Sequence, residues 1–262
     1  MRVVSVRHLV CAVAAALTFV AGASAQPAAP SPALPPTFAV LSLVGDQFSV
    51  VFRREESGTR LDPNSRRDYP IPTAMLDDMT VGTVESVLKR LKPVSPVLRF
   101  SIRDPRLFAL QDKLLVDSDE SRSLREALAK LLRDNAATRL VLVTKSRDDA
   151  QFKVVEGKIG SGKISGLGFF VDTFTRLHTT GTGEGTTGFL GPFAYVSVTV
   201  VDAATMSPIR SVPAREGDMQ LPLNATGALR AWDALTPEGK VDALERVLRR
   251  GVESATAAAL AD

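Results

Sequence analysis

Cysteine is almost absent from this sequence: its 262 residues include one, Cys11, beside two histidines, His8 and His178. One thiol makes no intrachain disulfide and no thiolate metal site, so the fold must be held by its core. Aromatic residues are sparse too, at 6%, with Trp232 the single tryptophan. No Lys/Arg cluster interleaves with them, which leaves nucleic-acid binding without support. Charge of one sign does not dominate: 32 basic against 29 acidic residues give a net +3. No apolar run reaches the roughly 20 residues that a membrane-spanning helix needs. What is there is an ordinary globular composition, 45% hydrophobic and 23% charged, too apolar for a disordered chain. A chain this long should bury about 70% of its extended surface and needs no disulfide or metal as a staple.

The start of the chain reads as an address. Arg2, Arg7 and His8 are followed by an apolar run of 12 residues, Leu9 to Val20, and then by Ala23-Ser24-Ala25. This is the layout of a secretory signal peptide over residues 1–25, cleaved near Ala25/Gln26. The expected location is periplasmic or secreted. Cys11 lies inside the apolar run behind His8, Leu9 and Val10, not behind the small residues of a lipobox, so lipidation is not expected there. Cleavage would leave 237 residues with a net charge of +1, no cysteine, and His178 as the sole imidazole. Residues 26–36 (QPAAPSPALPP) form a Pro/Ala-rich extended spacer.

The rest, residues 37–262, reads as one domain. Phe38 to Val44 is apolar on both alternating faces, as a central strand requires. Phe48, Val50 and Phe52 alternate in a half-buried strand, and Gly45-Asp46 between the two predicts a hairpin. Residues 53–72 are polar and turn-rich, a long surface excursion. Val84, Val87, Leu88 and Leu91 mark an amphipathic helix over 83–91. Strands are expected at 97–102 and 139–145. Ser123 and Glu126 form a capping-box pattern opening a helix with Leu124, Leu128, Leu131 and Leu132. Gly-rich blocks at 157–168 and 179–191 suit a β-hairpin and a flexible loop. Phe193 to Val201 turns through 202–208 into a return strand at 209–212, a second hairpin. Thr236-Pro237 caps a final helix whose end, Val252 to Leu260, packs on the domain. The sum is a single mixed-sheet domain of the α/β or α+β class, with two hairpins and about three packing helices.

Motifs that suggest chemistry stop short of a complete set. Val44-Gly45-Asp46 resembles the first block of the GDSL/SGNH hydrolases, but Gln47 stands where the nucleophilic serine belongs, and an amide cannot replace it. The partner Asp-x-x-His block fails as well, because Thr175 stands three positions before His178. Gly157-x4-Gly162-Lys163 meets two requirements of a phosphate-binding P-loop, yet Ile164 replaces the magnesium hydroxyl and a strand follows instead of a helix. Ser86 and Lys89 match Ser-x-x-Lys without its companion motifs. The acidic cluster Asp117 to Ser121 lacks the glycine and glutamate of a calcium loop, and places negative charge ahead of a helix instead. Neither metal nor cofactor is implied.

The residues left as candidates are few. His178 borders a Thr/Gly-rich loop, with Asp172 and Glu184 its nearest acidic neighbours in sequence, the set an imidazole general base would use. For a bound ligand, Asp46 at the first turn and Gly160 and Gly162, where backbone can approach closely, are the candidates. The segments FAVLSLVGDQFSVV, GSGKISGLGFFVD and FAYVSVTVVDAATMSPI resemble a set of secreted proteobacterial proteins of unknown function, over most of the mature chain. The strand ending in Asp202-x-x-Thr205 is similar to one in TolB amino-terminal and CsgG-like envelope domains, which implies an α/β fold and an envelope location. Two functions fit these readings. One is an exported, non-catalytic envelope protein that binds a protein or a small ligand. The other is an exported hydrolase acting through carboxylates or His178.

Overall fold

Residues 34–54, 64–116, 118–155, 157–178, 185–222 and 231–261 are described by the structure, a computed structural model. The expected signal peptide lies outside the described residues, as do residues 26–33 of the spacer. Strand β1 (Phe38–Ser42) has both edges filled. It pairs in parallel with β4 (Val97–Phe100) on one side and β5 (Arg139–Lys145) on the other. Its five residues are all buried, so its apolarity on both faces is that of a central strand covered above and below.

The expected hairpin over 38–52 does not form. β2 (Gln47–Phe52) never pairs with β1. It pairs in parallel with β9 (Lys163–His178) and antiparallel with β3 (Ser65–Pro70). The long strand β10 (Gly185–Asp202) explains the arrangement. Its first part pairs antiparallel with β9 and its last part with β5, the handover falling between Tyr195↔Gly166 and Val196↔Lys145. β5 and β9 therefore lie end to end along one edge of β10, running the same way. β1 and β2 lie end to end along β5 and β9 in turn. Gly45-Asp46 is a break within one continuing line, not a reversal. Leu43 N–H still donates to the Val143 carbonyl, so the chain leaves β1 in β1's own direction.

Two further expectations change. β3 falls within the expected surface excursion, whose residues 55–63 lie outside the described residues. It is an edge strand carrying Arg66, Arg67 and Asp68 and ending in Pro70. Charges and proline are what blunt an edge against further pairing, and they also hide it from a search for apolar alternation. Residues 185–191, read as flexible loop, belong to β10. There Gly188 adopts φ +84, beside a register shift between Thr187 and Phe189. A Cβ at this glycine would stand 2.4 Å from the Asp172 carbonyl oxygen. The glycine serves a bulge and a close approach, not mobility. The hairpin of β10 with β11 (Ser207–Gly217) forms as expected and runs longer.

Helices α1 (Met75–Leu91) and α4 (Pro237–Leu260) cover one face of the sheet. Val84, Leu88, Val247 and Leu248 meet Val40, Val143 and Val198 there. Thr236 caps α4 as expected, its Oγ1 accepting from Gly239 N–H at 3.1 Å. The end of α4 packs inward through Val252, Ala255 and Leu260. α1 starts earlier than the expected 83, because Leu76, Thr80 and Val81 are buried too. The opposite face has two separate covers. Helices α2 (Pro105–Ala109) and α3 (Asp119–Asp134) lie over β1 and β5, with Leu124, Leu128 and Leu132 on Leu41, Leu140 and Leu142. Short strands β6 (Arg147–Asp149), β7 (Phe152–Val154) and β8 (Gly157–Ile159) connect β5 to β9. Their Phe152 packs on Phe170, Phe189 and Phe193. The capping box at Ser123 is not used. α3 begins after Ser118, and Asp119 and Glu120 occupy its first turn, where negative charge is favourable. Pro35–Asp262 forms one compact unit, an α+β domain with a mixed sheet and three helices of substantial length.

Candidate functional site

The break between β1 and β2 lies beside the junction of β5 and β9, and both leave backbone groups to satisfy. From the α1 side comes Asp77, a buried residue in the first turn of that helix. Its Oδ1 accepts from Ser42 Oγ at 2.6 Å, Val44 N–H at 3.0 Å and Gly45 N–H at 3.1 Å. Burial raises the Asp77 carboxyl above its ordinary range, although these hydrogen bonds pull the other way. Gly45 is required by this contact, since a Cβ there would stand 2.7 Å from Asp77 Oδ2.

From the other side comes Lys145, the last residue of β5. Its Nζ donates to Asp46 Oδ1, closing an ion pair across the two junctions. Its stem lies over Gly166, at φ +68, where a Cβ would be 2.9 Å from Lys145 Cδ. Its backbone N–H donates to Gln111 Oε1 at 2.7 Å, and Gln111 Nε2 donates to the Phe108 carbonyl at 2.8 Å. Over this junction the two covers of the face do not meet. The gap is a cleft of about 730 Å³, within the roughly 300–1,000 Å³ of small-molecule sites. Arg103, Phe108 and Gln111 line one wall, Arg147 and Ser165 the other, with Asp46 and Lys145 between them. A second cavity of about 130 Å³ shares Gln47, Lys145 and Ser165 and adds Ser49, Arg66 and Asp68. In it Ser49 Oγ donates to Asp68 Oδ1 at 2.6 Å, and Arg66 Nε donates to both. The cleft sits beyond the carboxyl end of the parallel strands β1 and β5, where open α/β sheets bind ligands.

Neither a family model nor a curated protein matches the sequence. Among solved structures, the chain is similar to protein XCC0632 of the DUF330 family from Xanthomonas campestris. The identity is 10%, with 88% of this chain and 89% of that one covered, at a TM-score of 0.35. It is also similar to a PelC dodecamer from Paraburkholderia phytofirmans, at 9% identity, 88% and 94% coverage, and a TM-score of 0.31. A hypothetical protein, CT253, from Chlamydia trachomatis gives 14% identity, 85% and 99% coverage, and a TM-score of 0.30. Values this low establish no common fold. No TolB or CsgG match is among the three.

Of the candidate catalytic and ligand-binding residues, Asp46 alone belongs to the lining of this cleft. His178 is exposed at the end of β9, opposite Gly185. Asp172 lies six residues earlier on the same strand, about 20 Å away along an extended chain. Glu184 lies outside the described residues. Asp172 is fully buried. Its Oδ2 accepts from Arg53 Nη1 at 2.8 Å and Thr175 Oγ1 at 2.7 Å, and its Oδ1 from the N–H groups of Phe174 and Thr175. Burial pushes this carboxyl up, but the four hydrogen bonds prevail and hold it below its ordinary value. Such a group locks β2 to β9 and is not available as a base. Gly160 and Gly162 turn the chain from β8 into β9. A Cβ on Gly160, at φ +132, would stand 2.3 Å from the Ala150 carbonyl oxygen, and the Gly162 carbonyl accepts from Ala150 N–H at 2.9 Å. Their conformations serve the fold.

Sequence reasoning missed Lys145, Arg103, Gln111 and Asp77. The available signal was the end of β5, whose residues were legible and whose last side chain is a lysine. Among the described residues, no group of three His, Cys, Asp or Glu side chains could hold a metal ion. Among them, too, no helix is long and apolar enough to cross a membrane.

Proposed function

We propose that this chain is an exported binding protein that acts without catalysis, in the periplasm or outside the cell, and takes a small polar ligand in the cleft over the strand junction. The observation that carries this reading is the cleft itself. It is lined by hydroxyl, amide, guanidinium and carboxylate groups and by no His or Cys. Its lysine and Asp46 are engaged with each other, an arrangement that orients a ligand and offers no activated nucleophile. The export half of the reading is supported by the leader pattern of residues 1–25.

The test is a thermal-shift screen of the chain against small polar compounds, repeated on Ala109→Trp. Ala109 is exposed on α2 at the cleft wall, so an indole there fills the space without entering the core. Compounds that raise the melting temperature of the wild type but not of the variant, with equal unliganded melts, support the reading. Compounds that act equally on both place the binding elsewhere and refute it.

A further inference from the structure

Along one side of the sheet β4 and β3 lie end to end, and along the other lies β11, each paired on one edge alone among the described residues. Two of these open edges are blunted. β3 carries Arg66, Arg67, Asp68 and Pro70, and β11 is interrupted by Pro208 and Pro213, charges and rings that discourage a further strand. β4 has no proline, and its Val97, Leu98 and Phe100 are half-buried. Its one charge is turned aside, since Arg99 donates to Glu85 of α1.

The register fixes which backbone groups β4 leaves open. Phe38 N–H donates to the Pro96 carbonyl, so Pro96, Leu98 and Phe100 face β1, and the alternate residues Val97, Arg99 and Ser101 face outward. The outward N–H and C=O groups of these three meet no partner among the described residues. Val97 packs on the α1 side and Leu98 and Phe100 on the α3 side, each only half covered because no strand follows β4.

We infer that this edge pairs with the same edge of a second copy, antiparallel and about a two-fold axis at Arg99, joining two sheets into one. The three outward residues are symmetric about that point. Arg99 meets Arg99 of the second copy and Val97 meets Ser101 twice, each pair exchanging both N–H···O bonds. The same register sets Leu98 directly opposite Phe100 of the second copy, so the half-covered apolar side chains cover one another. Glu85 stands beside each Arg99 and offsets the like charge at the axis. An edge that completes itself in this way suits an isologous dimer, whereas a foreign peptide would have to bring the matching side chains.

The experiment follows the mass of the full chain carrying Cys11→Ser by sedimentation velocity over a wide concentration range. A monomer–dimer equilibrium is expected. Ser101→Pro removes an outward donor from each copy while leaving the bonds to β1 intact, and should weaken the dimer about tenfold or more. Arg99→Cys in the same background should cross-link two copies on mild oxidation. Residues directly opposite in a bonded pair have Cα atoms about 5.5 Å apart, within disulfide reach. Val94→Cys, at a position 76% exposed in the turn before β4, reports random collision and should cross-link far more slowly. The cross-link decides the matter if Ser101→Pro fails to fold. A monomer at every concentration, with Arg99→Cys no faster than Val94→Cys, overturns the inference, and an extended peptide bound to that monomer would give the edge a different occupant. A dimer that Ser101→Pro does not weaken and Arg99→Cys does not cross-link lies on another surface and overturns it equally.

Discussion

Replacing Asp77 tests how the break between β1 and β2 is held. One carboxylate oxygen accepts from Ser42 Oγ and from the Val44 and Gly45 N–H groups, all buried. Asp77→Ala removes that acceptor and leaves two buried backbone donors unsatisfied, at about 1–3 kcal/mol each. Part of the loss is offset, because the burial cost of the carboxylate disappears with it. A net destabilisation of about 3 kcal/mol follows, a fall of roughly 6–12 °C in melting temperature for a domain of this size. Asp77→Asn keeps an oxygen in the Oδ1 position and sheds the charge. It should stay within about 1 kcal/mol of wild type at neutral pH.

The pH dependence separates geometry from charge. Burial raises the folded-state pKa of Asp77 above the ordinary value of 3.8, so the folded state holds this proton more tightly than the unfolded chain. The stabilisation from that proton is fully present below pH 3.8 and is lost as pH rises through the raised value. Asp77→Asn cannot ionise and escapes this loss. Urea unfolding from acid to neutral pH should show the asparagine variant gaining on wild type as pH rises. An asparagine variant as unstable as the alanine one at neutral pH would refute the reasoning, because the anion and not the shared acceptor would then be holding the break.

Asp172 should behave in the opposite sense. Its folded-state pKa is held below the ordinary 3.8, so its contribution is present above that value and is lost as pH falls through the lowered one. Urea melts between about pH 2 and 6 should show that loss in wild type and not in Asp172→Asn, while Asp172→Ala should cost about 3 kcal/mol by stranding Arg53. Deleting residues 240–262 removes Leu244, Val247, Leu248 and Val252 from the core and should abolish the cooperative thermal transition. An unchanged melt would show α4 to be dispensable. Gly168→Ala would place a Cβ 2.0 Å from the Ser49 carbonyl oxygen and should cost about 3 kcal/mol in denaturant midpoint analysis. Gly82→Ala, with nothing within 4 Å in the middle of α1, should instead gain about 0.5–1 kcal/mol.

What could be read from the sequence was what is decided locally. β5 was expected at its observed bounds, because an apolar run between polar neighbours needs no distant partner to be recognised. The Thr236-Pro237 start of α4 and the turn after Asp202 are likewise local chemistry. The line of β1 and β2 was not legible. Its pairing joins Phe38 to Arg139 and Ser49 to Gly168, and only those distant partners decide whether Gly45-Asp46 reverses the chain or lets it run on. One glycine misled for the same reason. Gly188 lies in a block read as a flexible loop, but its conformation is shaped by the Asp172 carbonyl of the neighbouring strand. Lys145 was legible as the end of β5 but not as the partner of Asp46, which lies 99 positions away.

The cleft follows from that same long-range arrangement. Two rows of the sheet, β1 with β2 and β5 with β9, each consist of two strands in line, and both rows change strand at one level. Unbroken strands would satisfy each other's backbone there. Broken ones need side chains, and Asp77 from the α1 face with Lys145 and Gln111 from the other supply them. The sheet changes partners at that level, and on one face its two halves have separate apolar covers. Here α2 and α3 cover the first half and the β6–β8 excursion covers the second. The gap between two covers falls at that break, over the Asp46–Lys145 pair. An apolar plug would desolvate the Asp46–Lys145 pair without replacing its water, whereas a polar ligand replaces that water group for group. The break in the sheet and the polarity of the cleft are therefore one feature, and a substitution that restores continuous pairing at Val44–Gln47 should remove the site before it harms the fold.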